Sequence, residues 1–161
     1  MRPARLLAFL LACTLGPASA DDILLGPVHP DQILAISPAW RQQFDDYRPT
    51  REDVAALAEL PRRARLDVYF GSWCGDSRQG VPHLLKILQE APENRLKVRY
   101  VAVDRAKKEP ATDVQRVSLE RVPTFVLSVR GREIGRIVET PATTLEHDLA
   151  ILVRRAADAD R

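Results

Sequence analysis

The 161-residue sequence has few cysteines, little net charge and few glycines. Its 24 basic and 22 acidic residues nearly cancel, which excludes the strongly basic surface of a nucleic-acid-binding protein. Two cysteines and three histidines form no cluster with metal-ligand spacing, so we expect no metal site. Glycine-rich phosphate loops are also missing, so we expect no cofactor. The hydrophobic fraction of 45% still fits a globular protein, and the length fits one domain.

The most apolar stretch lies at the N-terminus and is typical of an export signal. Arg2 and Arg5 precede an uncharged run over residues 6–15, and small residues follow as far as Ala20. This order of basic, apolar and small residues is that of a signal peptide. The run is also too short for a membrane span, which needs about 20 apolar residues. We therefore predict a signal peptide over residues 1–20 and a soluble periplasmic product.

An alternative route would attach a lipid to Cys13. Residues 10–13 read Leu-Leu-Ala-Cys and resemble the lipobox of bacterial lipoproteins, although the apolar run between Arg5 and Cys13 is short for that pathway. Cleavage after Ala20 instead removes Cys13 and two of the 24 basic residues, which leaves a formally neutral chain. Cys74 is then the one remaining cysteine. A solitary cysteine in an oxidising compartment suggests intermolecular pairing or a reactive thiol.

Hydrophobic periodicity predicts an α/β chain. Residues 21–36 show no regular pattern and are predicted to form an extended arm. Helices are predicted from Pro38, around residues 54–60, and over residues 74–91, 112–118 and 143–157. Strands are predicted over residues 66–70, 96–103, 124–129 and 133–138. This order is a βαβ unit followed by a hairpin and a last helix, which implies a mixed sheet with helices on both faces.

Two further features of the predicted helices can be checked against a structure. Trp40, Phe44 and Tyr47 recur at helical spacing, which predicts one face packed into the core, with a partner-docking face as the alternative. Thr143 and Glu146 stand three residues apart before an apolar run. That spacing predicts a capping box at the start of the last helix.

Cys74 lies where a predicted strand ends and a helix begins. Free N–H groups and the helix dipole favour an anion at that end, and thiolate is the nucleophilic form of cysteine. Ser77 and Arg78 follow three and four residues later, so a hydroxyl and a positive charge are expected near the sulfur. The negative charge of Asp76 would instead disfavour the thiolate if its side chain points at the sulfur. The alternative is an inert buried cysteine, which the polar run from Gly75 onward disfavours.

Residues 66–157 resemble the thioredoxin-like superfamily. Residues 73–77, Trp-Cys-Gly-Asp-Ser, are similar to its Trp-Cys-x-x-Cys active site, with serine in the second cysteine position. Pro82 falls where the family has a kink proline in the active-site helix, and Val122 and Pro123 resemble its cis-proline loop. The resemblance implies an α/β three-layer fold with an N-terminal helical extension. It also implies a cis Pro123 facing Cys74, with Trp73 flanking the thiol and Val122 offering its backbone to an extended substrate.

The sequence departs from the family pattern at two positions. Ser77 cannot act as the second thiol that releases a mixed disulfide. Val68 stands where thioredoxins place a buried acid, and the neighbouring Asp67 should point to the other side of the strand. His83 is expected to face away from Cys74, so a Cys–His pair is not predicted.

These features lead to three functional hypotheses. The first is an exported monothiol protein that forms mixed disulfides through Cys74, as a disulfide isomerase or deglutathionylating enzyme resolved by an external thiol. The second is a non-catalytic binding module that retains clients through Cys74 or the groove beside Pro123, and the third is a scaffold without redox chemistry. The expected partners are protein thiols or disulfides, glutathione and an external reductant, with no nucleic acid, and no membrane unless Cys13 is lipidated. The expected layout is a signal peptide (1–20), an N-terminal extension (21–50) and a thioredoxin-like domain (51–161).

Overall fold

The computed structural model describes residues 23–91 and 96–159. The predicted signal peptide over residues 1–20, including Cys13, lies outside these described residues. Within the two ranges, every helix is too short or too polar to cross a bilayer.

The strands form one mixed five-stranded sheet, as the sequence predicts. The strands are β1 (Gly26–Val28), β2 (Ala64–Phe70), β3 (Lys97–Ala102), β4 (Thr124–Val129) and β5 (Arg132–Val138). Their order across the sheet is β1-β3-β2-β4-β5. The β2–β3 pair is parallel and the other pairs are antiparallel. The βαβ unit and the hairpin around residues 130–131 are therefore confirmed.

Helices cover both faces of this sheet, which confirms the predicted layers. The helices are α1 (Pro30–Leu34), α2 (Pro38–Asp46), α3 (Arg51–Ala55), α4 (Gly75–Glu90), α5 (Ala111–Arg116) and α6 (Leu145–Ala159). A 3-10 turn over Ala56–Glu59 extends α3. The larger apolar layer is built from the sheet together with buried residues of α1 to α4 and α6. The smaller layer includes Val114 of α5 on the opposite face.

Strand β2 lies at the centre of the sheet and contributes to both layers. Leu66, Val68 and Phe70 are fully buried in the larger layer, and Tyr69 is fully buried in the smaller one. Alternate side chains of a strand point to opposite faces, so a central strand must be apolar on both. The strand ends at Phe70, directly before the turn that carries Cys74.

The prediction of a featureless arm over residues 21–36 was wrong. Gly26–Val28 pairs antiparallel with Tyr100–Ala102 at the edge of the sheet, and the helix that follows buries Ile33 completely. Pro27 is compatible with this strand because an edge strand leaves some N–H groups unpaired. A three-residue strand and a five-residue helix are too short to produce a recognisable hydrophobic period.

The aromatic stripe packs as predicted, but the capping box does not form. Trp40 is 2% exposed and contacts Phe70 edge-on, with ring centroids 5.9 Å apart. At the start of α6 the Thr144 hydroxyl, rather than that of Thr143, accepts the His147 N–H at 3.3 Å. The Glu146 carboxylate instead binds Tyr47 and Thr50, which lie between α2 and α3, as described below.

Candidate functional site

Cys74 occupies the N-terminal cap of α4 and lies beside the Val122–Pro123 peptide. The Cys74 N–H donates to Gly71 O at 3.0 Å, and the Arg78 N–H donates to Cys74 O at 3.0 Å. The half-buried thiol donates to Val122 O at 3.4 Å. The Val122–Pro123 bond is cis, as the resemblance implies. The loop therefore presents a backbone carbonyl next to the sulfur.

Trp73 flanks the thiol and is held by contacts that sequence reasoning missed. Its indole Nε1 donates to Val103 O at 3.1 Å, and the Arg105 guanidinium lies 5.3 Å from the ring centroid. The ring also covers Gly71, where a Cβ would lie 2.6 Å from an indole carbon. In the sequence, Gly71 alone could have indicated this contact, since glycine often marks a close approach of another group.

A methyl group at Gly71 is expected to displace the Trp73 indole. In G71A the new Cβ would lie within 2.9 Å of three indole atoms, so the ring must move and its hydrogen bond to Val103 O is lost. We expect a shifted tryptophan emission spectrum and a loss of about 1–3 kcal/mol in the free energy of unfolding. The matched control is G75A, because no atom lies within 4 Å of a Cβ at Gly75. Equal spectra for G71A and the parent chain would contradict this packing.

Ser77 supports the turn instead of the sulfur. Its side chain is completely buried, and its Oγ accepts the Gly71 N–H at 3.2 Å. Among the described residues, the hydrogen-bond partner of the Cys74 sulfur is Val122 O rather than the expected Ser77 hydroxyl. Gly75, Asp76 and Arg78, the other predicted neighbours in the sequence, are exposed on the first turns of α4.

Val68 and Asp67 lie on opposite faces of β2, as expected. Val68 is fully buried in the larger layer, whereas Asp67 accepts hydrogen bonds from Arg65 and Arg99 on the other face. The Arg99 guanidinium also binds Asp113 of α5. With Arg116 at 3.8 Å, three guanidinium groups engage the Asp67 carboxylate, which accounts for an acid that is only 5% exposed.

His83 faces away from Cys74 and is stacked on Tyr47. The two ring centroids are 3.7 Å apart and the planes differ by 8°. Its Nε2 lies 3.2 Å from Gln43 Oε1. Burial lowers the pKa of His83, against an opposing effect from the Glu146 charge, so the ring is neutral near pH 7. These contacts tie α4 to α2.

Glu146 is a buried carboxylate that joins α6 to the segment before α3. Its side chain is 2% exposed. Tyr47 Oη donates to Glu146 Oε2 at 2.5 Å, and the Thr50 N–H donates to Oε1 at 3.0 Å. Burial raises the pKa of Glu146, but these hydrogen bonds outweigh it, and the pKa is lowered below its usual range. Glu146 therefore remains charged inside the fold.

Comparisons with known proteins agree with this architecture. A family model described as Thioredoxin matches residues 38–151. Mitochondrial thioredoxin-3 of Saccharomyces cerevisiae is 33% identical over 78 residues, which are 48% of this chain and 57% of that protein. The chain thus spans little more than half the length of this curated relative. A solved protein of unknown function from Pseudomonas aeruginosa is 19% identical, with a TM-score of 0.60 over 83% of this chain and 93% of that one. This structural likeness concerns the fold.

Proposed function

Since the chain belongs to the thioredoxin family, we propose that it catalyses thiol–disulfide exchange through Cys74 as its single reactive thiol. The observation that carries this proposal is the position of the Cys74 sulfur, at a helix N-terminus and 3.4 Å from Val122 O beside the cis Pro123. The Val122 backbone beside the sulfur is where we expect an extended client chain to bind.

The proposed reaction has two exchange steps. The Cys74 thiolate attacks one sulfur of a client disulfide, so that a mixed disulfide forms and the other client sulfur leaves as a thiolate that takes up a proton. An external thiolate then attacks the mixed disulfide and releases Cys74. When the client is glutathionylated and the external thiol is glutathione, the client thiol is regenerated. The glutathione taken from the client and the one incoming glutathione then leave together as glutathione disulfide. When a second client thiol attacks, the disulfide is rearranged without net oxidation.

An external thiol is needed because Ser77 replaces the second cysteine of the motif. The only other cysteine of the sequence is Cys13, within the predicted leader. Ser77 Oγ accepts the Gly71 N–H and supports the turn, a structural task that needs no redox chemistry. We therefore propose deglutathionylation or disulfide isomerisation, with glutathione or a protein thiol as the resolving partner.

The direct test is turnover of a glutathionylated peptide by the purified protein in the presence of glutathione. We expect many turnovers per protein molecule, and we expect alkylation of Cys74 before the assay to stop them. No release above the alkylated control would contradict the proposed activity. The second candidate is the binding module, because a site without a second thiol cannot release a mixed disulfide by itself. Recovery of stable mixed disulfides without turnover would support this candidate.

We also propose that the protein is exported, on the basis of the leader pattern in residues 1–20. Expression of the full sequence in a bacterium is expected to yield a periplasmic protein whose first residue is Asp21. Mass spectrometry of the intact protein and of its N-terminal peptide identifies the first residue of the mature chain. A chain that begins with an acylated Cys13 would contradict the soluble product and support the lipoprotein route, whereas an uncut leader would contradict both.

A further inference from the structure

A small cavity lies next to the proposed thiol site. Its volume is about 260 Å³, and its walls include Asp76, Gly80 and His83 of α4, Phe125 of β4 and residues 139–145. Pockets for drug-sized ligands occupy about 300–1,000 Å³. The cavity is therefore of a size for one long side chain rather than for a complete cofactor.

Two wall residues of the cavity, Gly80 and Glu139, lie against the cis-proline loop. Gly80 faces that loop, since a Cβ there would lie 3.5 Å from Pro123 Cγ and 3.4 Å from Phe125 Cζ. On the other wall the Glu139 N–H donates to Pro123 O at 2.7 Å. A client bound along Val122 and Pro123 would therefore have side chains close to the cavity.

The charged groups that line the cavity are both acidic, Asp76 and Glu139. Asp76 is exposed on the first turn of α4, and none of the cations in the described ranges pairs with its carboxylate. Glu139, on the opposite wall, has one partner, Arg121, in an exposed ion pair at 2.6 Å. The neutral His83 adds no positive charge.

Aromatic rings complete the lining. Tyr47 and His83 form a parallel stack at one side, and Phe125 lies at another. Aromatic faces attract cations, and a planar guanidinium can also stack on them. Phe125 is fully buried, so an ammonium or guanidinium group would find a carboxylate and the half-buried Tyr47–His83 stack in this cavity.

We propose that the cavity binds a basic side chain, arginine or lysine, of the client polypeptide close to the client's reacting cysteine. This inference rests on the proposed exchange at Cys74 and adds a preference among clients. The charge of Asp76 selects the cation, and the contact of Gly80 with Pro123 places the cavity beside the cis-proline loop. Such selection would raise the rate for clients whose cysteine has a basic residue nearby.

The test uses a set of glutathionylated peptides that carry arginine at each of the positions around the cysteine. In the comparison set, arginine is replaced by citrulline, which has nearly the same shape but no charge. We expect at least one position at which the arginine peptide has a kcat/KM about three- to tenfold higher. The preference should decrease at high salt because part of the interaction is screened.

Variants at Asp76 connect the preference to the cavity. D76N is expected to bring the ratio of the two rates close to one, and D76K is expected to favour citrulline over arginine. The matched control is D31N, because Asp31 is also an exposed acid in the first turn of a helix and lies on α1. D31N should keep the parent ratio.

The possible results separate the two proposals. Equal rates for both peptides at every position, or a preference that D76N leaves unchanged, would overturn the cavity assignment while the exchange activity stands. Failure of every peptide to react would overturn the exchange activity and this inference with it. Because each variant is compared by a ratio, a general effect of the charge near Cys74 on thiol reactivity cancels.

Discussion

Replacing Cys74 by serine is expected to reduce the release of glutathione to the uncatalysed background, a fall of at least about a hundredfold. A hydroxyl group is a far weaker nucleophile at neutral pH than a cysteine sulfur, and serine forms no mixed disulfide. The other cysteine of the sequence, Cys13, lies in the predicted leader. The measurement is the initial rate with the glutathionylated peptide, for the parent protein and for C74S at equal concentrations.

The fold of C74S should be unaffected, because a serine hydroxyl can donate to Val122 O in place of the thiol. We expect the free energy of unfolding to change by less than about 1 kcal/mol. C74A provides a second variant that lacks both donor and nucleophile. Residual turnover in C74S equal to that of the parent would assign the chemistry to another group and exclude Cys74 as the nucleophile.

Removal of the Glu146 carboxylate is expected to cause a large loss of stability. E146A leaves Tyr47 Oη and the Thr50 N–H without their acceptor inside the fold, and it also opens a cavity at the base of α6. We expect the free energy of unfolding to fall by about 2–4 kcal/mol, measured by urea denaturation. The matched control is E52A, an exposed acid on α3, which should change stability by less than about 0.5 kcal/mol.

The charge of Glu146 also predicts how stability depends on pH. Its pKa is lower in the folded chain than in the unfolded one, so its contribution is complete above the ordinary glutamate pKa of about 4.3 and is lost as the pH falls through the lowered value. E146Q removes this titration. Between about pH 7 and pH 3, E146Q should therefore lose less stability than the parent protein. Parallel curves would show that Glu146 does not titrate differently in the two states.

Patterns repeated along a whole element were enough to predict most of the fold. Strand β2, with apolar residues on both faces, and α4, with its buried leucines, carry strong periodic signals. Strand β1 and helix α1 carry almost none, because three and five residues cannot display a period. Their positions are decided by partners distant in sequence, since Gly26 pairs with Ala102.

At the site, the sequence predicted which residues meet but not how each is held. The nearness of Cys74 to Val122 and the cis Pro123 followed from the motif and the resemblance. The structural roles of Ser77 and Glu146 could not be predicted from the sequence, because each depends on a hydrogen-bond partner that no local spacing indicates. Ser77 binds Gly71 N–H across the turn, and Glu146 binds groups almost a hundred positions earlier in the chain.

The bond between Tyr47 and Glu146 joins residues 99 positions apart and has a consequence for how the chain acquires its structure. During synthesis the segment up to α3 emerges long before α6, so its binding partner does not yet exist. Val54 and Leu57, which lie in the segment that packs on α6, therefore stay exposed to water until the C-terminal helix arrives, and contacts between such distant parts form slowly. A polypeptide of this topology remains unfinished until its last helix is made.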